Sequence, residues 1–262
     1  MPTRFPYYIS ITDFTSPEQV WNMLSVFRNN SKPGREVHYK LGVGVMTSYK
    51  RLNDLPTKWS VAFPPKERIA NIFVSDGRST DYWLFNTLHY ADYEGIDVLN
   101  NLLKATELGG KNMNALQLDM IWPEPKILLE YRQRYPNIQI ILQANSIALE
   151  QVNNDPDKLA GRLLAYQETL DYVLLDKSMG RGLGMDAQVL EAFVKIINPR
   201  TSLEVTVAGG LGPDTLHLLG PLVHYVVSID AQGRLRPSGS ALDPIDWGMA
   251  GEYLRKALAI LT

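Results

Sequence analysis

Eight short runs rich in β-branched and aliphatic residues recur along the chain, each closed by a polar or glycine-rich turn. They lie at Tyr7–Thr12, Val37 to about Val45, Trp83–His89, Ala115–Asp119, Ile138–Leu142, Asp171–Leu175, 203–207 and 225–229. Helical segments fall between them, and strands alternating with helices predict a parallel sheet. Eight such units favour a closed (β/α)8 TIM barrel over an open doubly wound sheet. The open sheet carries its glycine fingerprint after the first strand, and here that turn is Thr12-Asp13-Phe14, without glycine. The chain of 262 residues is close to the roughly 250 of one barrel, so a single domain over 1–262 is expected.

The helix signals are local. Ser16 as N-cap with Pro17 at the first helical position opens a helix to about Arg28, with Val20, Leu24 and Phe27 on one stripe. Gly109-Gly110 closes a helix from about Gly95 to Leu108, and Pro123-Glu124-Pro125 opens another reaching Tyr135. Further helical patterns cover 156–169, begin near Met185, and run from about Pro244 to Leu261. Pro56, Pro64 and Pro65 break any long helix between strands 2 and 3. A barrel needs one helix there, so 48–80 reads as an insertion enlarging the second βα segment, either covering the active face or decorating the outside.

Composition narrows the chemistry. Cysteine is absent, which excludes disulfides, thiolate metal sites and cysteine catalysis. A net charge of −2 gives no reason to expect nucleic acid or an anionic membrane as partner. No apolar run reaches the ~18 residues of a membrane span, and Met-Pro-Thr-Arg-Phe-Pro-Tyr-Tyr lacks the apolar core of a signal peptide. A cytoplasmic protein is expected, with no cofactor and a homodimer left open.

The stretch 203–239 points to the ligand. Gly209-Gly210-Leu211-Gly212 leads into Pro213-Asp214-Thr215, a helix start. Glycines let backbone N–H groups approach an anion, and in a (β/α)8 barrel the turns after strands 7 and 8 hold phosphate. A phosphorylated small molecule is therefore the expected partner, held by Gly209, Gly210, Gly212, Asp230, Gly233 and Arg234.

Four stretches together resemble the phosphoribosylanthranilate isomerase family, (β/α)8 enzymes that perform an Amadori rearrangement. They are Ile11-Thr12-Asp13-Phe14-Thr15-Ser16-Pro17-Glu18, Leu116-Gln117-Leu118-Asp119, Leu174-Leu175-Asp176-Lys177 with Gly180, Gly182 and Gly184, and the two turns at 207–214 and 228–239. The resemblance implies a general acid at Asp176, phosphate binding through Gly209, Gly210 and Gly233, and a general base at the end of strand 1. The family has a cysteine where this chain has Thr12, a histidine where it has Asp119, and an arginine for the substrate carboxylate with no clear match here.

Each candidate has a plainer reading beside it. Asp176 stands at the end of strand 6, where barrel catalysts sit; otherwise it is an N-cap or an ion-pair partner of Lys177 or Arg181. Asp13 is the candidate base, although it lies one residue past Thr12, a shift that reverses the strand face, and an Asx turn before the first helix explains it as well. Asp92, Asp119 and Asp230 end strands near His89, but a metal site needs more than one placed histidine, and the chain has four. Lys40 in strand 2 is a Schiff-base candidate or an ordinary ion-pair partner. Arg181, Arg234 and Arg236 flank the phosphate turns as anion ligands or solvated charges. The expected activity is isomerisation of a phosphosugar or phosphoribosyl compound by acid–base proton transfer; the alternative is a binding or scaffold barrel that has lost the reaction.

Overall fold

The computed structural model describes residues 5–32, 38–77, 83–176 and 187–262. Eight parallel strands close a barrel in chain order: β1 (Tyr7–Thr12), β2 (Tyr39–Ser48), β3 (Leu84–Asp92), β4 (Ala115–Met120), β5 (Gln139–Asn145), β6 (Tyr172–Asp176), β7 (Glu204–Ala208) and β8 (Ser228–Ala231), which pairs back onto β1. The helices are α1 (Pro17–Asn30), α2 (Tyr49–Leu52), α3 (Ile69–Ile72), α4 (Val98–Gly109), α5 (Pro125–Arg134), α6 (Ser146–Gln151), α7 (Pro156–Leu163), α8 (Ala187–Arg200) and α9 (Trp247–Leu261).

Period-two alternation sorts the side chains. Ile9 and Ile11 of β1 and Leu41, Val43 and Val45 of β2 join the large apolar shell beneath the helices. The intervening positions point inward. Tyr8, Phe85 and Tyr172, from β1, β3 and β6, meet across the barrel, with Tyr8 to Phe85 ring centroids 4.8 Å apart and Tyr8 to Tyr172 5.5 Å. Ala115, Ile141 and Leu174 complete this plug. Closer to the strand ends the inward positions become polar, and there the barrel opens.

The caps follow the sequence. Ser16 accepts from the Gln19 N–H and Gln19 reaches back, a capping box that fixes the start of α1. The described residues of the second βα segment form no long helix. They form α2 before Pro56, a 3-10 turn at Lys58–Val61 between Pro56 and Pro64, and after Pro65 a second 3-10 turn, Lys66–Arg68, that leads into α3. β8 begins at Ser228, three residues later than the run at 225–229 suggests. The reason is that Leu216–Tyr225 coils as 3-10 helix and Val226 takes φ 47°. That 3-10 run also replaces the α-helix expected after Thr215.

Candidate active site

A cavity of about 550 Å³ opens at the C-terminal ends of the strands. Its floor carries Thr12 from β1, His89 from β3, Gln117 and Asp119 from β4, Gln143 from β5, Asp176 from β6 and Asp230 from β8. The inserted segment forms one wall: Pro56, Thr57, Lys58, Trp59 and Phe63 line it. The rings of Trp59 and Phe63 are nearly parallel, 7° apart in plane. The insertion thus covers part of the active face.

Asp230 lies at the centre of the electrostatics. Burial pushes its carboxyl from an ordinary 3.8 up to about 7. Hydrogen bonds from Thr12 and Ser10 pull it down in part, while the charge of Asp176 pushes it further up. The Thr12 hydroxyl donates to Asp230, at 2.9 Å and 3.1 Å from its two oxygens. Thr12 therefore acts as a donor to a carboxylate, and the base-capable group at this place is Asp230. From the other side Gln117 Nε2 donates to Gln143 (3.2 Å) and Gln143 Nε2 donates to Asp176 (3.2 Å), a chain that fixes the Asp176 carboxylate. On the rim, Asn145 Nδ2 donates to Tyr93 (2.8 Å) and to Asp119 (3.1 Å), and Tyr93 Oη donates to Asp119 at 2.5 Å. Burial raises the Asp119 carboxyl against these donors, and the charge of Asp176 adds to the rise.

The expectation that Asp13 faces Asp176 does not hold. Asp13 is buried outside the cavity, where Arg236 Nη2 donates to its Oδ2 at 2.5 Å and Gln232 Nε2 at 3.0 Å. Asp13 follows the last residue of β1 and takes φ 88°, and there its side chain meets the loop after β8. The contact with Arg236 opposes the upward push of burial on Asp13, and the second oxygen, Oδ1, has no partner. Arg236 directs three of its five N–H groups to this pair and to the carbonyls of Gln232 and Asp243, and it also lines the opening formed by Gly212 and Arg234. Asp92 likewise turns away from the cavity, taking Tyr90 Oη and the N–H groups of Glu94 and Gly95. Lys40 pairs in register with Tyr8, at the level of the aromatic plug and below the cavity. Arg181, Lys177 and the glycines at 180, 182 and 184 lie outside the described residues.

The two turns expected to hold phosphate meet each other. A Cβ placed on Gly212 would lie 2.7 Å from Cβ of Arg234 and 2.8 Å from its carbonyl oxygen, so only glycine permits this approach. Gly209 and Gly210 take φ of 101° and 67°, which bends the chain away from β7. Their N–H groups, and that of Gly233, bond to no other described residue. The central cavity reaches Ala208 and Gln232, the residues next to these amides. Two of the expected phosphate ligands differ. The Gly212 N–H is taken by Thr215 Oγ1 at 2.9 Å, and Asp230 is a carboxylate facing the central cavity. Arg234 and Gly212 line a second opening of about 400 Å³ with Ser238 and Gly239.

Sequence reasoning weighed His89 only as a metal ligand and did not single out Gln117, Gln143, Asn145 or Tyr93. Inward parity carried from Asp176 through the strand register would have found the first three. Among the described residues no group of His, Asp and Glu forms a metal cluster, and no helix is long and apolar enough to cross a membrane.

No protein-family model and no curated protein sequence matches the chain. Solved structures do. Phosphoribosyl anthranilate isomerase from Thermus thermophilus superposes with a TM-score of 0.58 at 17% identity, over 97% of this chain and 98% of that one. The Thermococcus kodakaraensis enzyme gives 0.57 at 16%, covering 97% and 99%. A third, in complex with reduced 1-(o-carboxyphenylamino)-1-deoxyribulose 5-phosphate, gives 0.57 at 16%, covering 97% and 98%. At these identities the likeness is one of fold: the chain is a (β/α)8 barrel similar to the phosphoribosyl anthranilate isomerases.

Proposed function

We propose that the protein isomerises a phosphorylated ribosylamine or a related phosphosugar by acid–base proton transfer. The observation that carries this reading is that Asp176 and Asp230 share one cavity, close enough for the charge of one to raise the pKa of the other. Two carboxyl groups in different environments divide acid and base roles. The reactive form holds one proton on the pair: with it on Asp176 and Asp230 ionised, Asp176 donates it to the furanose ring oxygen. The C1–O bond breaks as the nitrogen lone pair forms a C1=N bond. Asp230, poised near neutrality, takes the proton from C2, and the resulting enaminol tautomerises to a 1-amino-1-deoxyketose. The open amides of Gly209, Gly210 and Gly233 hold the phosphate at the edge of the cavity. A barrel that only binds a phosphate ligand is the second reading, and Asp230 sharing the cavity with Asp176 weighs against it.

The test is a panel of N-ribosylamine 5-phosphates, made by condensing ribose 5-phosphate with anthranilate, aniline and aliphatic amines, with ketose formation followed by NMR. Acceleration of at least one member by the wild-type protein is expected. No acceleration of any member, with ligand binding intact, would leave only the binding barrel.

A further inference from the structure

His89 is the only buried histidine; His38, His217 and His224 are exposed. Its imidazole lines the central cavity and makes no hydrogen bond to any other described residue. Its neighbours on the floor are already engaged. The Thr12 proton goes to Asp230, Gln117 and Gln143 donate along the chain to Asp176, and Tyr93 and Asn145 serve Asp119. The ring nitrogens are not sealed in without a partner; they open onto the cavity, where a bound molecule can take up their hydrogen-bonding capacity.

Its position is fixed by the barrel. A Cβ placed on Gly44 would meet Thr12 Oγ1 at 2.7 Å and His89 Nε2 at 2.9 Å. The His89 nitrogen and the hydroxyl that anchors Asp230 therefore crowd around one point, and the glycine at 44 leaves them room. Burial drives the imidazole pKa down to about 3, so the ring is neutral over the working range and offers one donor and one acceptor.

We propose that His89 is a substrate-contacting residue whose neutral imidazole hydrogen-bonds the hydroxyl on the sugar carbon deprotonated by Asp230. The inference rests on the phosphosugar reading of this cavity. A neutral imidazole so placed stabilises charge developing on that oxygen without giving up a proton.

The probes are ribulose 5-phosphate, whose C2 carbonyl oxygen is the product form of that hydroxyl and can accept from the imidazole N–H, and inorganic phosphate, which carries no such oxygen. In histidine-labelled 15N NMR, ribulose 5-phosphate is expected to shift the His89 nitrogens while inorganic phosphate at equal saturation does not. His89→Leu should weaken ribulose 5-phosphate binding about tenfold and leave inorganic phosphate unchanged; His89→Gln, which keeps a donor and an acceptor, should recover part of the loss. If ribulose 5-phosphate perturbs the amides of Gly209 and Gly233 but leaves His89 unmoved, and His89→Leu binds it like wild type, the inference is overturned while the phosphosugar reading stands. Failure of both probes to bind anywhere would overturn both. The wild-type spectra decide the matter even if His89→Leu does not fold.

Discussion

The Thr12 hydroxyl has one proton, and it is directed at Asp230, 2.9 Å and 3.1 Å from the two carboxylate oxygens. This bond ties the end of β1 to the end of β8 and stabilises the charged form of Asp230. Removing it by Thr12→Val is expected to raise the Asp230 pKa above its value of about 7. Asp176→Asn removes a neighbouring negative charge and is expected to lower it. Titration of the Asp230 carboxyl carbon by 13C NMR measures both. Shifts of the same sign in the two variants would contradict the account.

The raised pKa of Asp230 also sets a pH dependence of stability. The group ionises near its ordinary 3.8 when unfolded and near 7 when folded. Between those values the folded state holds the extra proton, so this contribution is full below about pH 4 and is lost as the pH rises through about 7. Asp230→Asn cannot ionise and escapes the loss. Its melting temperature relative to wild type should therefore be higher at pH 8 than at pH 5, a ratio that differential scanning calorimetry reads. The same ionisation places the base-dependent limb of kcat/KM near pH 7, with activity falling below it.

Arg236 and Asp13 form a buried pair, 2% and 4% exposed, that clamps the loop after β8 onto the end of β1. Truncating one partner leaves the other charged and alone, a loss of roughly 3–5 kcal/mol. Arg236→Met should lower the denaturation midpoint accordingly, and the double change Arg236→Met with Asp13→Asn should recover a substantial part. Equal destabilisation by the single and double variants would show that the pair acts through packing alone.

Trp59 and Phe63 give the insertion its contact with the cavity. Trp59→Ala is expected to weaken 1-anilino-1-deoxyribulose 5-phosphate roughly tenfold, the upper range of an aromatic contact, and to leave inorganic phosphate binding unchanged. Isothermal titration calorimetry with both ligands separates a wall of the site from an ornament outside it.

The barrel was legible because its signals are local and repeated. The aliphatic run Tyr7–Thr12, the Ser16–Pro17 helix start and the glycine turn at 209–212 each act within a few residues. Asp176 was legible for the same reason: an aliphatic run that ends before a glycine-rich stretch of sequence. Asp230 was placed with the phosphate ligands because its role depends on burial and on a bond to Thr12, 218 positions away. Chain position favours Asp13 as base, and only its φ of 88° and the contact with Arg236, 223 positions away, show where it points. The second βα segment resisted reading because its short turns are held by tertiary contacts rather than by periodicity.

The most direct measurement of the central claim is deuterium incorporation at C1 of the ketose formed from an N-aryl ribosylamine 5-phosphate in D₂O. Wild type should form product carrying solvent deuterium at C1, while Asp176→Asn and Asp230→Asn should each be slower by about 10²-fold or more. Full rate in Asp230→Asn, or a wild-type rate no faster than buffer with the compound bound, would contradict the assignment of these two carboxylates as acid and base.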